Sequence, residues 1–366
     1  MPALAKKRIL IVDDAVVVRK MLADALSANG VVEVAGVAAN GRIALQKFLA
    51  LKPDVILLDI EMPDMDGLET VRELRKLDTR VPIIMFSTLT ERGAGAALEA
   101  LSLGATDYVT KPSNSDMRAT LEVVSRELIP KVLALCGVAE VRVGIEPARK
   151  PPVLALAVSR RLPTPVEVVA IGVSTGGPDA LARLLPALPA DFPVPIIIVQ
   201  HMPPIFTRLL AARLSAKSAL PVRECKSGEL LTPGCAVLAP GDFHMVASKE
   251  GGTVCLRTQQ GPKENYCRPS VDVLFRSVAK LYGAKTLAVV LTGMGQDGLK
   301  GCGLLQGLGA RIVVQDEASS VVWGMPGLVA RAGLAEKILP LDQIGAEIVR
   351  SAAPHADAAL ARAGAV

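Results

Sequence analysis

Aromatic residues make up only 3% of the 366-residue chain, and its formal charge of +5 is scattered rather than gathered in one stretch. Proteins that grip single strands interleave basic side chains with stacking rings, so nucleic acid is not an expected partner. Histidine is rarer still, with three in the chain, and the six cysteines form no C-x-x-C pair. A structural zinc site is therefore not expected, and free thiols in a reducing, cytoplasmic setting fit the pattern. Nowhere do about 18 uncharged apolar residues run together, so no membrane insertion is expected. Lys6, Lys7 and Arg8 precede an apolar run that Asp13 and Asp14 cut short, which is not the shape of a signal peptide.

What is present is a globular mixture, 51% hydrophobic and 21% charged, long enough for two cores. Short apolar runs at 8–12, 33–38, 55–59, 81–87 and 105–110 alternate with helix-length segments. A second alternation places strands at 166–172, 195–200, 286–292 and 311–315, with helices near 177–188, 204–215, 271–281 and 298–308. Runs this apolar belong to parallel sheets covered on both faces. The fold class is α/β: an N-terminal five-stranded parallel sheet over 1–125 and a C-terminal doubly wound, mostly parallel domain over 166–350. The turn-rich text of 220–260 suggests an antiparallel edge. Residues 126–165, broken by prolines and arginines, read as a linker in which "VLALAV" could pack against a domain, and 351–366 as a fraying Ala-rich tail.

In parallel doubly wound sheets, chemistry collects at the carboxyl ends of the strands. In the first half those ends carry Asp13 and Asp14, Asp59, Ser87 and Lys111. Each acid alone could be a helix cap. Converging carboxylates make chemical sense around a hard cation such as Mg²⁺, beside which an aspartate can accept a phosphoryl group. Lys111 would pair with the phosphoryl oxygens, and the Ser87 hydroxyl would donate to them. The stretches "ILIVDDA", "VILLDIEMPDMDG", "IIMFST" and "DYVTKP" resemble the response-regulator receiver domain, with its flavodoxin-like fold. The resemblance implies Asp59 as phosphoacceptor, Mg²⁺ held by Asp13, Asp14 and Asp59, Lys111 on the phosphoryl group, and Ser87 with Tyr108 as the switch pair.

In the second half, "IGVSTGG" at 171–177 can be a phosphate loop or can present a nucleophile. Pro178 and Asp179 follow where a phosphate loop needs Lys and Ser/Thr, and Asp179 would oppose an anion. A rival, Gly293-Met294-Gly295-Gln296-Asp297-Gly298 with Asp316 beyond it, fits the dinucleotide fingerprint but arrives late in its domain. Gly172-Val173-Ser174-Thr175-Gly176 fits G-x-S-x-G. A serine needs a base, and His201 ends a strand on the same edge, while His244 lies in the turn-rich insert and His355 in the tail. Asp297, in the loop after 286–292, has the position of the orienting acid, although it could equally cap the helix from 298.

The stretches "IGVSTGGPDAL", "VQHMP", "LAPGDFHM", "RPSVDVLF", "VVLTGMGQDG" and "QDEASSVVWGMPG" resemble the catalytic domain of the chemotaxis protein-glutamate methylesterase family. The resemblance implies hydrolysis of glutamate methyl esters on methyl-accepting chemoreceptors, with deamidation of receptor glutamines and no cofactor for the ester reaction. It carries Ser174 over as nucleophile, His201 as base and then acid, Asp297 as orienter, and Met294 as an oxyanion-hole donor, with Thr175 as a second. It also implies a chemotaxis histidine kinase as phosphodonor and relief of inhibition of the catalytic cleft on receiver phosphorylation. Ala15 stands where related domains often carry serine, and Tyr266-Cys267 where many relatives have histidine. A reading of the same fold as a phosphorylation-dependent binding module stays open at this point.

Overall fold

The computed structural model describes residues 6–28, 30–112, 117–138 and 164–353, which fall into two compact units divided at Val141/Arg142. The first contains β1 (Lys7–Val12), α1 (Val16–Ala28), β2 (Val32–Ala38), α2 (Gly41–Leu51), β3 (Val55–Asp59), α3 (Gly67–Leu77), β4 (Ile83–Ser87), α4 (Glu91–Ser102) and β5 (Asp107–Thr110). Its sheet is parallel in the order β2-β1-β3-β4-β5. The order reverses between β1 and β3, and a ligand crevice opens at such a switch point. Asp13 and Asp59 are the residues found there.

Helix α5 (Met117–Val123) continues through a π turn into α6 (Ile129–Leu135). Pro130 has no N–H for the Arg126 carbonyl, and the helix widens just ahead of it, with the Ile129 amide donating to Val124 five residues back. The helix therefore runs ten residues past 125, where the sequence suggested a linker. The physical reason is the apolar spacing of Val124, Leu128, Ile129 and Val132, which are buried with Ile9, Ile11, Leu57 and Phe86 in one core. The apolar stretch 153–158 and the tail from 354 lie outside the described residues.

The second unit contains β6 (Val168–Val173), α7 (Gly177–Leu184), β7 (Ile196–Gln200), α8 (Pro204–Lys217), β8 (Val222–Glu224), β9 (Glu229–Leu230), β10 (Ala236–Leu238), β11 (His244–Glu250) and β12 (Thr253–Gln259). It continues with α9 (Val271–Tyr282), β13 (Thr286–Val290), α10 (Leu299–Gly307), β14 (Arg311–Gln315), α11 (Met325–Arg331), β15 (Lys337–Leu339) and α12 (Leu341–Ala352). Seven strands pair in the order β15-β14-β13-β6-β7-β10-β8, all parallel, and β11-β12-β9 form a separate antiparallel sheet. The turn-rich segment thus supplies both kinds of strand: β8 and β10 extend the parallel sheet, and the β11–β12 hairpin supplies the antiparallel edge sheet. Strand β15 and helices α11 and α12 carry short or interrupted apolar patterns and add to the elements legible in the sequence.

Strands β6, β7 and β13 are buried at every position, as full coverage of both faces requires. One face packs Val168, Ala170, Val199, Ala288 and Val290 against Leu274, Phe275 and Val278 of α9 and Leu305 of α10. The strand order reverses between β6 and β13, which places a second switch point beside Ser174. Among the described residues no helix is long and apolar enough to cross a membrane.

Candidate active site and candidate phosphorylation site

Ser174 directly follows β6, the strand between β7 and β13. Its amide donates to the Thr292 carbonyl beyond β13 (3.0 Å), and the His201 amide donates to the Val173 carbonyl (3.2 Å). Backbone pairing alone thus draws three loops to one sheet edge. The sharp exit from the strand rests on Gly176, which takes φ +76 and starts α7. Ser174 is not among the positive-φ residues, so the strain of this turn lies on a glycine that carries it without penalty. Gly293 completes the close approach: a Cβ there would lie 2.8 Å from Ser174 Cβ.

His201 and Asp297 meet directly, with Nε2 2.8 Å from Oδ2. Asp297 is 2% exposed and is held by an unusual number of donors. Its Oδ1 accepts from Asn265 Nδ2 (2.9 Å), Ser270 Oγ (2.8 Å), the Asp272 amide (3.0 Å) and the Gly298 amide (3.0 Å). Its Oδ2 accepts from the Val271 amide (2.6 Å) as well as from His201. Two of these donors, Val271 and Asp272, are orphan N–H groups of the first turn of α9. Asp297 therefore caps α9 from a distant loop, not α10, whose N-cap is Gly298 at φ +90. Burial pushes the Asp297 carboxyl up, but the hydrogen bond and charge of His201 and the amides of Asp272 and Val271 outweigh it and hold it at about 2. An ionised Asp297 accepts, so the His201 proton at this contact resides on Nε2.

The other ring nitrogen, Nδ1, lies 3.5 Å from Cys267 Sγ. Burial pushes the imidazole down, yet the charge of the Cys267 sulfur and the hydrogen bonds with Asp297 and Cys267 win, raising His201 to about 10. Nitrogen, sulfur and oxygen of His201, Cys267 and Asp297 lie within 4.8 Å of one another, a set that could hold a metal ion. Both Asp297 oxygens already accept hydrogen bonds, from six donors in all. Ser174 contributes backbone bonds only among the described residues; its carbonyl accepts from Gln200 Nε2 (2.9 Å) and the Gly177 amide (2.8 Å).

Sequence reasoning missed Asn265, Ser270, Cys267 and Gln200 as participants. Ser270 reads as an ordinary N-cap, yet its hydroxyl goes to Asp297 and makes no cap bond of its own. The dinucleotide rival finds no support, since Asp316 spends its carboxylate on the Ser319 amide and hydroxyl, as a turn acid does. His244 bonds the Pro262 carbonyl and the Ser270 amide, a structural role, and His355 lies outside the described residues.

In the first unit, Lys111 Nζ sits between Asp13 Oδ2 (3.0 Å) and Asp59 Oδ2 (2.8 Å). Asp13 and Asp59 are buried and Asp14 is exposed, and one oxygen of each lies within 4.8 Å of the others. Burial pushes Asp59 up, Lys111 pulls it down and the Asp13 charge raises it again, leaving it at about 6. Burial lowers Lys111, but the two carboxylates outweigh this and its ammonium is held above its ordinary range. Ser87 Oγ donates to the Gly93 carbonyl at 2.9 Å, so its hydroxyl is engaged with α4 here. Tyr108 is 7% exposed, its ring under Lys131, and burial raises its hydroxyl.

Comparison with known proteins bears on the two halves of the chain as families. The CheB methylesterase family model matches residues 169–348, and the response regulator receiver domain model matches 9–122. A protein-glutamate methylesterase/protein-glutamine glutaminase of Trichodesmium erythraeum is 50% identical over 94% of this chain and 99% of its own length. The protein-glutamate methylesterase/protein-glutamine glutaminase 2 of Caulobacter vibrioides is 48% identical over 94% of this chain and 99% of its own. The crystal structure of the Thermotoga maritima CheB methylesterase catalytic domain is 42% identical with a TM-score of 0.50, covering 51% of this chain and 99% of that one. The chain belongs to the protein-glutamate methylesterase/protein-glutamine glutaminase family, with a receiver domain ahead of a CheB methylesterase domain.

Proposed function

We propose that the chain is a phosphorylation-regulated serine esterase that hydrolyses glutamate methyl esters on methyl-accepting chemoreceptors and deamidates receptor glutamines. The observation that carries this reading is the His201–Asp297 contact at the edge where Ser174 leaves β6. His201 Nδ1, the nitrogen Asp297 leaves free, takes the Ser174 proton as Oγ attacks the ester carbonyl. The Met294 and Thr175 amides have no hydrogen-bond partner among the described residues, which suits them to receive the developing oxyanion. His201 then returns the proton to the departing methoxide and methanol leaves. Water, deprotonated by the same nitrogen, attacks the acyl group, and the Ser174–acyl bond breaks as His201 gives that proton to Ser174 Oγ, releasing the glutamate carboxyl group. Burial of Asp297 keeps the imidazolium paired throughout.

The test is methanol release from methylated receptor membranes. The raised His201 sets its pH dependence. Only the neutral ring can take a proton, so kcat/KM climbs as pH rises toward about 10. Cys267→Ala removes a sulfur that favours the imidazolium; the His201 pKa falls, and the rising limb moves to lower pH. An unmoved limb in this variant would contradict the role given to Cys267.

The receiver half fits Mg²⁺, since Asp13, Asp14 and Asp59 present hard oxygen donors within one cation's reach. When bound, the ion supplies positive charge that offsets the like charges of the carboxylates and of an incoming phosphoryl group. Asp59 is the acceptor, Lys111 is placed to pair with the added charge, and Ser87 and Tyr108 are the residues that respond. The phosphodonor is a chemotaxis histidine kinase, and the setting is the cytoplasm. Labelled acetyl phosphate is expected to mark the unsubstituted chain and not Asp59→Asn. Methanol release should rise about 5- to 150-fold with donor, the span of ordinary coupling energies, and only when Asp59 is present. Equal stimulation of the Asn variant would refute the assignment.

A further inference from the structure

Between the ligands of Asp297 and the sulfur on His201 lies a two-residue turn. The Glu264 amide donates to the Cys267 carbonyl (3.1 Å) and the Cys267 amide to the Glu264 carbonyl (2.9 Å), closing the turn over Asn265 and Tyr266. Both central residues have positive φ, +51 and +65. That is the pattern of a type I′ turn, which favours Asn at its first position and Gly at its second. Asn265 is well suited. Tyr266 is not: a Cβ-bearing aromatic residue is strained in this region, and glycine would hold the same backbone without penalty.

The tyrosine returns nothing to the fold. Its side chain is 96% exposed, and it is the one aromatic among the exposed large hydrophobic residues described. The turn itself is fastened on both flanks. Asn265 Nδ2 bonds Asp297 and Asp272 (2.9 Å each), Cys267 Sγ lies on His201, and the Glu264 carboxylate pairs with both Arg276 nitrogens (2.5 and 2.6 Å). A rigid, strained turn anchored to the base and its acid thus holds an uncovered phenol ring over solvent. Strain retained where the side chain makes no internal contact points to an external use.

We infer that Tyr266 is a substrate-docking residue, which contacts the protein segment flanking the methyl ester as that ester enters the site. This rests on the esterase reading above. An ester bound between His201 and Ser174 must belong to a polypeptide lying across this rim. A tyrosine gives such a segment a broad apolar face and a polar tip at little conformational cost. A small ester has no flanking segment and forgoes the contact.

The test compares Tyr266→Gly and Tyr266→Phe with the unsubstituted full chain in the presence of acetyl phosphate. The readout is the ratio of kcat/KM for methylated receptor membranes to kcat/KM for p-nitrophenyl acetate. Tyr266→Gly is expected to lower that ratio about tenfold, chiefly through KM for receptor, without a lower Tm, because glycine relieves the turn. Tyr266→Phe should restore most of the ratio. An unchanged ratio in the Gly variant, or both substrates failing in parallel, would overturn the docking role. Absence of methanol release from the unsubstituted chain would instead defeat the esterase reading and this inference with it.

Discussion

Ser174→Ala is expected to reduce methanol release about a millionfold, the scale on which a serine triad loses kcat when its nucleophile is removed, while leaving unfolding within about 0.5 kcal/mol of the parent. The two halves of this expectation have separate causes. The bonds of Ser174 run through its backbone: its amide to Thr292, its carbonyl to Gln200 and Gly177. Alanine keeps all of them, and Gly176 still makes the turn. The hydroxyl is therefore spare as far as stability is concerned, and under the proposed esterase reading it is needed only for chemistry. Residual turnover within tenfold of the parent would mean that another group attacks the ester, and Cys267 beside His201 would be the candidate.

The second large effect is expected at Asp297. In Asp297→Asn an amide nitrogen must face either the His201 Nε2–H and the Val271 N–H or the four donors on the opposite oxygen. Either orientation sets donor against donor in a buried place. Leaving the four donors on the oxygen turns the amide nitrogen toward His201, and the tautomer then inverts, moving the proton onto Nδ1 and removing the base. A loss of about 10,000-fold in kcat follows from the wrong tautomer, together with a stability loss of about 1–3 kcal/mol for buried donors left unsatisfied. Urea unfolding and steady-state kinetics on the same preparation separate the two. A variant as active as the parent would remove Asp297 from the mechanism. One that is inactive yet equally stable would show that the donors around Asp297 find other partners.

These expectations rest on features of unequal legibility in the sequence. The strand-end positions of Asp13, Asp59, Ser174 and His201 are readable because a fully buried parallel strand is a short uninterrupted apolar run, and the residue that ends it lies at the functional edge. Asp297 is readable as a strand-end acid, but its part in capping α9 is not, since nothing local couples residue 297 to an amide at 271. Ser270 conceals the same fact by resembling an ordinary cap. Gln200 hides inside the apolar run it terminates. The helix extending to Leu135 was obscured by Pro130, which in isolation argues for an end rather than a widened turn. The Asn265-Tyr266 turn is invisible for a related reason: its second residue violates the preference that would announce it.

The two halves also differ in how their charges are balanced. In the methylesterase half, backbone and side-chain donors converge on one carboxylate and keep it ionised. In the receiver half, Asp13 and Asp59 share Lys111 with Asp14 close by, and Asp59 remains above its ordinary range. The first arrangement is complete as it stands and suits an orienting role. The second retains excess negative charge, as expected of a place that takes up a cation.

Acid quenching of the chain during turnover of p-nitrophenyl acetate, followed by peptide mapping, addresses the nucleophile itself. An acetyl group on the peptide carrying residue 174, absent from the Ser174→Ala chain, is the result the account requires. Acetylation at position 267 with position 174 unmodified would contradict it.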